Sequence, residues 1–150
     1  MRHQLWTILL HGHTGPVHRD VKPENLSISN EVGRAILREG ITGRVLTPLA
    51  ELLELGPTQL APVIGVDRTT ARRYARDDQA LPTHSAETVL RLAELEALVL
   101  DVFASEQAAH DWLKTEHPLL GESPISAAST SYGAQRVREI LTAIKYGGVV

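Results

Sequence analysis

Residues 57–77, PTQLAPVIGVDRTTARRYARD, constrain the fold more than any other stretch of this 150-residue chain. They read as a short helix, a tight turn at Gly65 and a second short helix. Two helices that cross steeply are joined by a short turn that often holds a glycine. Gly65 can take the φ > 0 conformation that ends the first helix. Ala61, one turn earlier, is small enough to let the helices approach. Leu60, Ile64, Val66, Ala71 and Tyr74 supply the apolar positions, and Ala71 and Tyr74, three apart, pack back onto the first helix. Arg68, Arg72, Arg73 and Arg76 are left outside. The pattern predicts a helix-turn-helix; the plainer alternative is an αα corner with no partner. Asp67 is the expected cap of the second helix. Thr69 and Thr70 lie in its first turn, where base-edge or phosphate contacts arise. The expected DNA-binding set is Arg68, Thr69, Thr70, Arg72, Arg73 and Arg76.

The net charge is −3, unusual for a chain whose sole task is to hold DNA phosphates, so its distribution matters more than its sum. Residues 68–76 carry four arginines and no acid, whereas residues 83–150 carry nine acids and five bases. A basic spot on an acidic body still binds DNA locally. The acidic remainder suggests a second task, such as holding a protein partner. Four arginines are few for one copy, and two symmetric copies would double the phosphate contacts, so a homodimer is expected. The absence of cysteine excludes a disulfide framework and a thiolate metal site, and it fits a cytoplasmic protein. No apolar run has the length of a transmembrane helix, so no membrane is expected.

The fold class expected is all-α. Residues 1–30 read as an irregular leader, with one short element at Leu5–Leu10. Its His3, His11, His13 and His18 have no acid or cysteine at metal-site spacing, so no metal is assigned. A helix at Glu31–Glu39 follows the cap signal Ser29-Asn30 and stops at Gly40. Thr47-Pro48 is the expected start of the next helix, with Leu49, Leu52 and Leu53 as its stripe and Gly56 as its stop. Thr58 caps or opens the first helix of the central unit, with Pro62 near its start. Thr83 or Ser85 caps a long helix reaching about Ala104, too apolar for a one-sided surface helix and therefore a spine. Ser105 caps a helix ending before His117-Pro118. The last helix opens at Ser131–Ala134 and presents Val137, Ile140, Leu141 and Ile144 on one face. The expected division is 1–30 leader, 31–104 helix-turn-helix and dimerisation region, and 105–150 C-terminal region.

His18–Asn25 reads HRDVKPEN, the pattern of a protein-kinase catalytic loop, with Asp20 as base and Asn25 as metal holder. No G-x-G-x-x-G loop precedes it, no strand lysine accompanies it and no D-F-G follows. A base with no nucleotide site cannot run phosphoryl transfer. The stretch is read as coincidence, and no catalytic residue or cofactor is expected.

Residues 112–150, WLKTEHPLLGESPISAASTSYGAQRVREILTAIKYGGVV, carry a more specific signal. Trp112, Leu113, Pro118, Leu120, Gly121, Pro124, Gly133 and Val137 stand in an order that resembles the C-terminal domain of Xre/MbcA/ParS antitoxins. Residues 43–104 look like that family's Xre-type helix-turn-helix and following long helix. The resemblance implies a type II toxin–antitoxin module whose partner is a RES-domain toxin. Such toxins degrade NAD or use it to ADP-ribosylate a target. It also implies repression of the module's own promoter, through operator DNA, and a C-terminal tail that reaches the toxin's NAD pocket. The expected toxin-binding set is Arg136, Lys145, Tyr146, Gly147, Gly148, Val149 and Val150. Physically, a Gly-Gly segment ending in a carboxylate is thin and anionic, which suits a pocket built for pyrophosphate. Tyr146 suits a buried interface anchor, whereas Trp112 is expected to be structural. The protein is expected as a homodimer or within a toxin–antitoxin hetero-oligomer. The alternative is a helix-turn-helix transcriptional regulator with no toxin partner.

Overall fold

Nine α-helices and one 3₁₀ turn make up the described residues, 2–10 and 30–147, of the computed structural model. The kinase-like octapeptide and residues Gly148, Val149 and Val150 lie outside them. The apolar stretch at Leu5–Leu10 belongs to a helix, α1 (Arg2–Leu9), which begins earlier than expected. Leu5, Trp6, Leu9 and Leu10 recur at helical spacing and are all buried. Two turns are too short to stand out against the glycines and prolines that follow. Helix α2 (Asn30–Glu39) buries Val32 and Ile36 and stops before Gly40.

The connector after α2 does more than its Gly and Thr content suggests. Gly43 N–H donates to the Gln79 carbonyl and Leu81 N–H to the Ile41 carbonyl, each at 2.8 Å. These two bonds tie the entry of the helix-turn-helix region to its exit. The 3₁₀ turn Gly43–Val45 then runs directly into α3 (Leu46–Leu52). Thr47 is therefore not a cap: the helix has already begun at Leu46, and Val45 in the cap position makes no side-chain hydrogen bond. Nor does Gly56 stop α3. Glu54 takes the left-handed conformation, φ 58°, and Leu55 N–H reaches back to the Ala50 carbonyl at 2.9 Å, a Schellman ending without glycine.

Gly56 instead caps α4 (Pro57–Val63), where its N–H donates to Gln59 Oε1 at 2.8 Å. Proline at the first helical position makes Pro57, not Thr58, the opening residue. Pro62 consequently falls in the last turn of this seven-residue helix rather than near its start. Gly65 adopts φ 81° at the turn, as the sequence requires. Asp67 caps α5 (Arg68–Asp77) by accepting from Thr70 N–H at 2.8 Å.

The spine is α6 (Thr83–Val102), touched by α2, α3, α7 and α9. Neither Thr83 nor Ser85 caps it, since Pro82 occupies the cap position. Ser85 is buried, and its hydroxyl donates to the Ile64 carbonyl at 2.6 Å, tying the end of α4 to the spine. Helix α7 (Glu106–Lys114) is capped by Ser105 as expected. A four-residue helix, α8 (Pro124–Ala127), adds to the expected elements, and Ser123-Pro124 supplies its cap and first-position proline. Helix α9 (Ser131–Lys145) then runs alongside the spine, in the same direction. Three side chains set its register: Arg91 donates to the Ala128 and Ser129 carbonyls, Arg138 pairs with Glu94 at 3.3 Å, and Lys145 pairs with Asp101.

Candidate functional site

Two surfaces carry the residues singled out in the sequence. On α5, positions 68, 72, 76, 69 and 73 sweep across one exposed face at 100° per residue. Ala71, Tyr74 and Ala75 form the half-buried opposite side. The four arginines are thus on one face, but not equally available. Arg76 is held by Asp77, Nε to Oδ1 at 2.8 Å and Nη2 to Oδ2 at 3.1 Å. This fork keeps the Asp77 carboxyl below its usual range. The Arg73 guanidinium lies 5.6 Å from the centre of the Tyr74 ring. Arg68, Arg72 and Arg76 also edge a cleft of about 640 Å³ whose floor is Leu60, Ile64 and Ala71. Thr69 is exposed. Thr70 is committed to the cap, with N–H and hydroxyl both donating to the Asp67 carboxylate, at 2.8 and 3.0 Å. These bonds hold the Asp67 carboxyl below its usual range and lock the first turn of α5.

The second surface is the outer face of α9. Its inner face buries Ala134, Val137, Ile140 and Leu141, while Ile144 is only half-buried. Outward stand Arg136 and Glu139, paired at 3.1 Å, with Tyr132 and Tyr146 at the two ends, 90% and 77% exposed. The two tyrosines are fourteen positions apart, close to four whole turns, so they lie on the same side. Lys145 is the last helical residue and its ammonium lies 5.6 Å from the centre of the Tyr146 ring. Its bond to Asp101 raises its affinity for the proton and fixes the helix end on the spine. Beyond the helix, Tyr146 N–H and Gly147 N–H still donate to the Thr142 and Ile144 carbonyls, at 3.1 and 3.2 Å, so both residues stay bonded to the last turn. Tyr132 lies outside the expected set; its signal in the sequence is an aromatic pair spaced by whole turns on a polar face. Trp112 packs against Phe103 and His117, as a structural residue should.

Both surfaces coincide with known domains. The antitoxin Xre-like helix-turn-helix domain matches residues 34–94. The antitoxin Xre/MbcA/ParS C-terminal toxin-binding domain matches residues 98–147. The chain belongs to the Xre/MbcA/ParS antitoxin family. Comparison with curated proteins gives no match.

The antitoxin's two matched regions meet inside the spine, so one continuous helix joins them. The helix-turn-helix domain implies DNA binding and the C-terminal domain implies a toxin partner. The family is non-enzymatic. No helix among the described residues is long and apolar enough to cross a membrane.

Proposed function

We propose that this antitoxin neutralises a RES-domain, NAD-consuming toxin by placing its C-terminal tail at the toxin's NAD pocket. With that toxin it represses its own operon through α5. The observation that carries the reading is the outer face of α9. It presents a tyrosine at each end, and it leads directly into residues 147–150, Gly-Gly-Val-Val. Exposed aromatics of this kind are the side chains that anchor protein interfaces. In this reading Arg136, Lys145 and Tyr146 dock the helix end, and Gly147 to Val150 deliver the carboxylate. Arg68, Thr69, Arg72, Arg73 and Arg76 face the operator, with Thr70 holding the first turn in place for them. Two copies bind together.

Deleting residues 146–150 leaves every described side-chain bond between helices intact. The truncated protein should keep its thermal midpoint but lose protection of cells that express the adjacent toxin gene. Full protection by the truncated protein would exclude the tail at the pocket. Arg72→Ala with Arg73→Ala should weaken operator binding and flatten its salt dependence, by about 0.9 in the log–log slope for each phosphate no longer neutralised. An unchanged slope in electrophoretic mobility shifts would exclude this face of α5.

A further inference from the structure

We propose that Glu96, Glu106 and His110 form a binding site for a divalent transition-metal ion of the Zn²⁺ class. One ligand atom from each of the three lies within 4.8 Å of the others. Glu106 and His110 stand four apart on α7, on one face. Glu96 comes from the spine beneath them and is fully buried, and Glu96 Oε2 lies 2.9 Å from His110 Nε2. Metal–ligand bonds of about 2.1 Å at a tetrahedral angle place ligand atoms about 3.4 Å apart. The Glu96–His110 gap therefore opens by about 0.5 Å to take an ion in place of the shared proton, within reach of a carboxylate rotation. Two carboxylates and a neutral imidazole balance a dication. The imidazole in the set favours zinc-like ions over Mg²⁺ or Ca²⁺.

An independent observation comes from the other side of the ring. His110 is 3% exposed, and its Nδ1 has no hydrogen-bond partner. Facing it across 3.6 Å is Glu54 Oε1, from the Schellman ending of α3. A metal on Nε2 would put the remaining proton on Nδ1, aimed at that carboxylate. That is the arrangement in which a carboxylate fixes a metal-ligating histidine from behind. Lys114 Nζ holds the other Glu54 oxygen, Oε2, at 3.1 Å, which fixes the carboxylate in front of the ring. The site joins the spine to α7, with Glu54 reaching it from the helix-turn-helix half.

The test uses the full-length antitoxin stripped with EDTA. Adding Co²⁺ should give the visible d–d absorption of a tetrahedral site, displaced by Zn²⁺. Zn²⁺ but not Mg²⁺ should raise the thermal midpoint. Glu106→Gln changes an exposed side chain and should fold. It should lower Co²⁺ affinity at least about tenfold, whereas Glu54→Gln should lower it about 10–100-fold through the ring. Replacing His3, His11, His13 and His18 by Asn should leave the Co²⁺ band intact. Absence of the band, a Co²⁺ affinity unchanged by Glu106→Gln, or a band lost with the leader histidines would each overturn the proposal.

Discussion

Gly43→Ala is expected to lower the stability of the protein by about 3 kcal/mol, near the upper end for an inserted methyl group. For a chain of this size that is a fall of roughly 10 °C in the thermal midpoint. The cause is local and steric. A Cβ at residue 43 would sit 2.0 Å from the Tyr74 carbonyl oxygen and 2.2 Å from its carbon. Both are backbone atoms of α5, so no rotamer change relieves the clash. The helix must lift from the 3₁₀ turn, and the bond from Gly43 N–H to the Gln79 carbonyl must stretch with it. Operator binding should fall as well, although every arginine of α5 is still present, because the face they share has tilted. Gly56→Ala is the control. A Cβ there meets only Gln59 Oε1, at 3.7 Å, an ordinary van der Waals approach. Calorimetry and mobility shifts on the two variants decide the matter. A midpoint shift for Gly43→Ala no larger than that for Gly56→Ala would show that the turn and α5 are not closely packed.

The contrast between Gly43 and Gly65 shows what is legible in the sequence. Gly65 acts through its own backbone torsion, a local requirement that neighbouring residues announce. Gly43 acts through an approach to a residue thirty-one positions away, and nothing beside it in the chain records that. The same division runs through the caps. Asp67 and Ser105 are readable because cap and helix are adjacent. Ser85 has the form of a cap and is instead a tie to the Ile64 carbonyl, a partner set by tertiary packing. The surfaces follow suit. The face of α5 is readable from periodicity, but the binding of Arg76 by Asp77 and the reach of Lys145 to Asp101 depend on rotamers and on how helices are laid side by side. Tyr132 is legible only once the length of α9 is known, because its alignment with Tyr146 needs an unbroken helix between them. Glu54, Glu96 and His110 are not readable as a group, since three separate helices or helix ends bring them together.

His110→Leu, on α7 against the spine, should have a large effect. His110 and Glu96 are 3% and 0% exposed and meet at 2.9 Å. A buried carboxylate is tolerated because a cation or a strong donor faces it. Leucine fills much of the imidazole volume but supplies neither. Removing one member of a buried pair costs about 3–5 kcal/mol, roughly 10–15 °C in midpoint here. The second substitution separates charge from shape. Replacing both groups by apolar side chains of similar size is often neutral or stabilising. Glu96→Leu with His110→Leu should therefore regain at least half of what the single change loses. Measuring both in EDTA removes any contribution from bound metal. If the double variant is less stable than His110→Leu alone, burial of the carboxylate is not the cause, and the spine depends on the shape of Glu96 rather than its charge. If the double variant recovers, the pair is a net electrostatic cost that the fold retains at the junction of its DNA-binding and toxin-binding halves. Its reason for being there must then be something other than stability.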